Sequence, residues 1–197
     1  MDMDSPGIDV RPIRQINGEE DFNEMFLTDV RVPAANLVGA ANAGWDVART
    51  TLSSERGLIA FEYAERQSYR YESYFRRAME QGAPWLHDVG FRREFMCLLG
   101  DMQATRRLVR RLLRSSGAGE EDMTLPAVVK LVATDLRKRF GDFLVRAEGL
   151  DGQVEQQEQS EERAMFEYLT AFAMTISGGS NEIMRNIIAE RGLGLPK

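Results

Sequence analysis

The sequence predicts a mainly α protein: an up-and-down helical bundle preceded by a few β-strands of an incomplete β-domain. Three observations carry that expectation. From Trp45 to Met79 there is no proline and a single glycine. Two later segments repeat apolar residues at alternating spacings of four and three, the seam of a packed bundle. The first 33 residues instead hold two short runs of β-like alternation.

Those two runs are GIDVRPIRQI and FNEMFLTDVRV, joined by the turn-prone NGEED. Ile8, Val10 and Ile13, then Phe22, Met25 and Phe26, give them one partly apolar face. Two strands alone are not a stable sheet in water. Residues 1–38 therefore read as the terminal strands and connector of a larger β-domain, and residues 39–197 as the helical domain. In the first helix Trp45, Ala48, Leu52, Ile59 and Tyr63 share a narrow arc, so Trp45 is expected in the core. A second helix is expected from Pro84 to Arg114, with Phe91, Phe95, Leu98, Met102, Thr105, Val109 and Leu112 as its seam, broken by SSGAGEED. A third starts with Thr124 as N-cap and Pro126 just inside, and buries Val129, Val132, Leu136, Phe140 and Phe143. After a polar loop, GLDGQVEQQEQSEER, a fourth carries Met165, Leu169, Phe172 and Ile176. A glycine pair and a short helix from Asn181 to about Arg191 close the chain.

Composition removes several classes of function. No apolar run approaches the roughly 18 residues of a membrane span, and the first residues, MDMDSPG, are acidic rather than basic-then-apolar. The single Cys97 cannot form an internal disulfide, which fits a reducing cytoplasm. It lies in apolar EFMCLLG and reads as a buried, inert thiol rather than as a nucleophile paired with His87. One Cys and one His make no credible metal site. The net charge of −6 argues against nucleic acid as a partner. The arginines of RRLVRRLLR, opposite its leucines, form a solvated or subunit-facing side.

The last 22 residues, ISGGSNEIMRNIIAERGLGLPK, hold the strongest local signal. Ser180 precedes a helix and can cap its free N–H groups. Gly178 and Gly179 allow positive φ and close approach of another molecule. With the partial positive charge of a helix start, this can cradle a phosphate. From these residues alone, a glycine hinge with a serine cap is the plainer alternative.

That string resembles the C-terminal signature of the acyl-CoA dehydrogenase family. FNEMFLTDVRVPAANLVGAANAGWDVARTTLSSERG resembles the family's passage from middle β-domain to C-terminal helical domain. The resemblance implies an FAD-dependent enzyme that desaturates an acyl-CoA thioester between Cα and Cβ. A carboxylate removes the α-proton, hydride passes from Cβ to the flavin N5, and an electron-transfer flavoprotein accepts the electrons. The α C–H is a weak acid, so the base must sit close, in a dry site, with a raised pKa. The same resemblance makes Gly179, Ser180 and Glu182 cofactor contacts, Ser180 at the flavin pyrophosphate or ribose and Glu182 at the AMP portion.

Many members place the catalytic glutamate two residues before the Ser/Thr of this signature, where this chain has Gly178, which cannot accept a proton. A smaller branch, isovaleryl-CoA dehydrogenase-like, carries the base on the first long helix in a motif that looks like Leu-x-x-Glu-Arg. Here the residues are Leu52, Glu55 and Arg56. Glu55 is three residues after Leu52 and four before Ile59, on the apolar stripe, where desolvation would raise its pKa. A solvated Glu55–Arg56 pair is the plainer alternative. Glu55 is thus the expected base, and Glu62 the second choice. The resemblance implies Arg56 at the substrate site, orienting the base, with an ordinary salt bridge as the plainer alternative. Glu65 is expected to face solvent, and Arg191 to anchor the last helix. The missing side chain at Gly178 opens space for a branched or bulky acyl group.

Two further flavin motifs of the family, Arg-x-x-Phe-Gly and Gln-x-x-Gly-Gly, have no convincing counterpart in AMEQGAPW or RAEGLDGQ. The family's N-terminal half is absent as well. The chain is therefore expected to be the C-terminal part of a full enzyme, inactive alone. The alternative is a half-size or non-catalytic subunit that pairs with a catalytic one. Either way the family implies a homo- or hetero-oligomer through the helical domain and acyl-CoA as ligand, while composition and charge predict neither membrane nor nucleic acid as partner.

Overall fold

The computed structural model describes residues 1–117, 124–153 and 163–196, with the backbone alone at 49–62, 116 and 117. The chain forms two compact units, Met1–Ser53 and Ser54–Lys197.

In the first unit β1 (Ile8–Ile13) and β2 (Phe22–Leu27) pair antiparallel, Ile8 opposite Leu27 and Ile13 opposite Phe22. The hairpin is closed at its open end by the Thr28 N–H donating to the Gly7 carbonyl at 2.9 Å. Only glycine fits there: at φ 91° an added Cβ would lie 2.0 Å from the Thr28 oxygen. Val10, Ile13, Phe22, Met25 and Phe26 are all exposed. A guanidinium, that of Arg11, lies 4.5 Å over the Phe26 ring.

Among the described residues five α-helices follow: α1 (Gly44–Gln81), α2 (Val89–Gly117), α3 (Leu125–Glu148), α4 (Ala164–Met174) and α5 (Asn181–Ile187). A short 3-10 turn, Pro84–His87, joins α1 to α2, and a π turn, Ile188–Gly192, extends α5. The core is aromatic. Tyr71 of α1 stacks on Phe140 of α3 with centroids 3.8 Å apart. Tyr74 stacks on Trp85 at 5.9 Å, and Phe143 meets Trp85 edge-on at 5.4 Å. Truncating one such ring to alanine costs about 3–5 kcal/mol, so this cluster fixes how α1, α2 and α3 meet. The expected seams are largely present: Phe95, Leu98, Met102, Thr105, Val109 and Leu112 on α2, and Val129, Leu136, Phe140 and Phe143 on α3, are buried, while Phe91 and Val132, at the edges of the two seams, are half-buried.

Four local expectations are corrected. Trp45 is 73% exposed, because it lies in the first turn of α1, before the segment that carries the aromatic core. Cys97 is exposed, since it falls between the buried Phe95 and Leu98 on the helix surface. Helix α2 begins at Val89 rather than Pro84, the intervening residues tightening into the 3-10 turn that buries Trp85. Thr124 occupies the N-cap position of α3 but has helical dihedrals and makes no side-chain cap.

Helix α4 turns a different face inward. Ala164, Phe166, Glu167 and Ala171 are buried, while Phe172 and Ile176 are exposed. Its rotation is set by α3. A Cβ on Gly141 would lie 2.8 Å from the Tyr168 Cα, so the two backbones touch there. Glu167 is drawn in by Arg137 of α3, Nε to Oε1 at 2.6 Å and Nη2 to Oε2 at 3.1 Å. Arg70 of α1 adds a third bond at 3.1 Å, so one buried carboxylate ties three helices together.

Candidate functional site

The glycine-rich turn between α4 and α5 is the site with defined geometry. α4 ends with the Thr175 hydroxyl donating to the Phe172 carbonyl at 2.7 Å. Gly178 (φ 68°) and Gly179 (φ 103°) then reverse the chain in the left-handed region, which side chains disfavour. The Asn181 N–H donates to the Thr175 carbonyl at 2.9 Å and closes the turn. Ser180 is the N-cap of α5, its hydroxyl accepting from the Ile183 N–H at 3.4 Å. Gly178, Gly179, Ser180 and Glu182 are therefore brought together around one short turn. Space beside Gly178 is open, with no atom within 4 Å of where a Cβ would be.

Glu182 is exposed and lies 3.4 Å from Arg185. Its own backbone N–H, then the Ser180 hydroxyl, hold its carboxyl below the ordinary range. Beneath the turn lies a network that the sequence does not announce. The Lys130 ammonium donates to the Thr175 carbonyl at 2.9 Å and to Asn181 Oδ1 at 2.7 Å. The Thr134 hydroxyl lies 3.0 Å from the same Oδ1, and Asn181 is buried. Burial lowers the Lys130 pKa, partly opposed by the negative charge of Glu182. The only clue in the sequence is a lysine interrupting the apolar run VVKLV.

Glu55 and Arg56 belong to the helical backbone of α1. Their side chains, like that of the second choice Glu62, lie outside the described residues. Glu65 does not face solvent freely. Arg106 of α2 grips it at 2.5 and 3.1 Å, and Arg110 lies 3.8 Å away. The long arginine side chains of α2 reach across to α1, which a reading of α1 alone cannot anticipate. Arg191, expected as an anchor, is exposed. Farther along α1, Tyr63 is pushed up to about 12 by burial, with Arg137 beside it offsetting only part of that shift. Among the described residues no cluster of His, Cys, Asp or Glu could hold a metal, and no helix is long and apolar enough to cross a membrane.

Two left-handed glycines without side chains, a capped helix start and an ammonium behind them suit the close approach of an anionic group. Comparison with known proteins gives the family. Residues 42–193 match the family described as acyl-CoA dehydrogenase, C-terminal domain. Acyl-CoA dehydrogenase FadE34 of Mycobacterium tuberculosis is 34% identical over the whole of this chain, which covers 26% of that protein. Acyl-CoA dehydrogenase IpdE1 of Mycolicibacterium smegmatis is 33% identical over 99% of this chain, covering 48% of its own length. Among solved structures, the Tcur3481–Tcur3483 steroid ACAD superposes on 99% of this chain and 50% of its own, with a TM-score of 0.87 at 23% identity. The chain belongs to the acyl-CoA dehydrogenase family, whose members are flavoproteins, and it carries the family's C-terminal helical domain. It spans from about a quarter to about half the length of these relatives.

Proposed function

We propose that this chain is the C-terminal part of an FAD-dependent acyl-CoA dehydrogenase that desaturates a thioester between Cα and Cβ. In this reading residues 1–38 end a β-domain and residues 39–197 form the helical domain. The observation that carries it is the turn at Gly178–Ser180: a family signature with cofactor-suited geometry but no carboxylate where many members hold their base. The proton acceptor then has to come from elsewhere, and LSSERG on α1 supplies one in Glu55.

Glu55 removes the α-proton, and Arg56 beside it orients the carboxylate at the substrate. Gly179 lets the backbone approach the cofactor, Ser180 presents the start of α5 to its phosphates, and Glu182 lies at its AMP portion. The turn fits such a group because the space beside Gly178 is open, whereas a Cβ at Gly179 would press on Met184 Cε at 2.8 Å, and φ at both suits glycine. FAD, when bound, supplies the hydride acceptor. An electron-transfer flavoprotein is the natural recipient of the electrons, and the cytoplasm the natural setting.

Assembly through the helical domain is supported by exposed apolar side chains at the α1–α2 end, Met79, Val89 and Met96. The same surface supports the second reading, a non-catalytic or half-size subunit that pairs with a catalytic one. The open space at Gly178 favours a branched or bulky acyl group.

The intact assembly is expected to purify yellow and to lose its visible flavin absorbance on anaerobic addition of an acyl-CoA. A higher kcat/KM is expected for branched or ring-bearing acyl-CoA than for straight chains of equal carbon number. The opposite preference would remove the steric role assigned to Gly178, and a colourless assembly would overturn the catalytic reading as a whole.

A further inference from the structure

The turn that presents Gly178, Gly179 and Ser180 is closed within itself by one backbone hydrogen bond, from the Asn181 N–H to the Thr175 carbonyl. Its two glycines have no side chains to pack, and glycine keeps more backbone freedom than any other residue. Further ties come from α3. The Lys130 ammonium bonds the carbonyl of Thr175, the C-cap of α4, and the first side chain after the N-cap of α5, Asn181. One cation thus bridges the two ends of the turn across six residues. Asn181 contributes from both sides, its N–H to the Thr175 carbonyl and its side-chain oxygen to Lys130. Thr134, one helical turn beyond Lys130, lies 3.0 Å from that oxygen, its one proton shared between it and the Lys130 carbonyl at 2.9 Å.

We propose that Lys130, with Thr134, is a positioning residue: through Asn181 it locks the Thr175–Ser180 turn into the one arrangement that can receive the anionic part of a cofactor. The role of the turn toward the cofactor rests on the function proposed above; the lock itself does not. Bonds from an ammonium are charge-assisted and stronger than neutral ones. A hydrogen bond to a charged group is worth about tenfold or more in an equilibrium. The arrangement also explains why a lysine interrupts an apolar stretch of α3 and accepts partial desolvation there.

The test uses the full assembly and two independent readouts: amide hydrogen exchange across residues 175–185, and the dissociation constant of FAD. Lys130→Met keeps the length of the side chain and removes its donors. It is expected to speed exchange of this segment about tenfold and to weaken FAD by a similar factor. Lys130→Arg should restore part of both. Asn181→Asp turns the neutral contact into an ion pair and should slow exchange below wild type, an effect in the opposite direction that keeps the test decisive if Lys130→Met fails to fold. Unchanged exchange in folded Lys130→Met, or faster exchange in Asn181→Asp, would overturn the lock. Faster exchange in Lys130→Met with unchanged FAD affinity would support the lock and overturn the assignment of the turn as a cofactor contact.

Discussion

Glu65 and Glu167 show how differently two carboxylates on neighbouring helices behave. Glu167 is buried with both oxygens taken by Arg137 and Arg70, so its charge is compensated where no water reaches it. Glu65 is about one-third exposed, and Arg106, chiefly by hydrogen bonding, lowers its pKa. A carboxylate whose folded pKa is depressed stabilises the fold above its unfolded pKa, near 4.3, and loses that stabilisation as pH falls through the lower folded value. Because the pair is largely solvated, Arg106→Leu is expected to cost under about 1 kcal/mol at neutral pH. Its urea midpoint should fall less steeply than that of wild type on acidification below that unfolded value. A parallel fall in both proteins would show that the pair contributes nothing. Neither carboxylate's partner was legible in the sequence, since each lies on another helix, and Cys97 and Trp45 were misplaced because an apolar neighbourhood in sequence does not fix which side of a helix a residue occupies.

The helices were legible where their own period sets their orientation. Seams at four-and-three spacing on α2 and α3 were read directly, because each helix is long enough for one face to dominate burial. Helix α4 has 11 residues, and its facing is dictated from outside, by the backbone contact at Gly141 and the pull of Arg137 on Glu167. Gly141→Ala tests that account. The added methyl meets the Tyr168 backbone, which cannot rotate away, so a loss of about 1–3 kcal/mol is expected in chemical denaturation. A neutral effect would mean that α4 shifts freely and that its facing is set by something else.

At the scale of the whole molecule, the chain divides into a hairpin-bearing unit, Met1–Ser53, and a helical unit, Ser54–Lys197, and the apolar side chains of the hairpin are exposed. Family membership was legible because glycine-rich signatures encode backbone conformations that few residues tolerate: Gly178 and Gly179 both sit at positive φ. Lys130 and Asn181, which hold that turn, were not legible, because a lysine in a helix gives no sign of what lies above it. The account's central claim is that Glu55 is the proton acceptor. The most direct measurement is anaerobic rapid mixing of the intact assembly with saturating acyl-CoA, comparing wild type with Glu55→Gln at equal flavin content. The account predicts unchanged flavin binding and a rate of flavin reduction lower by about 10²–10⁴-fold; equal rates in the two proteins would contradict it.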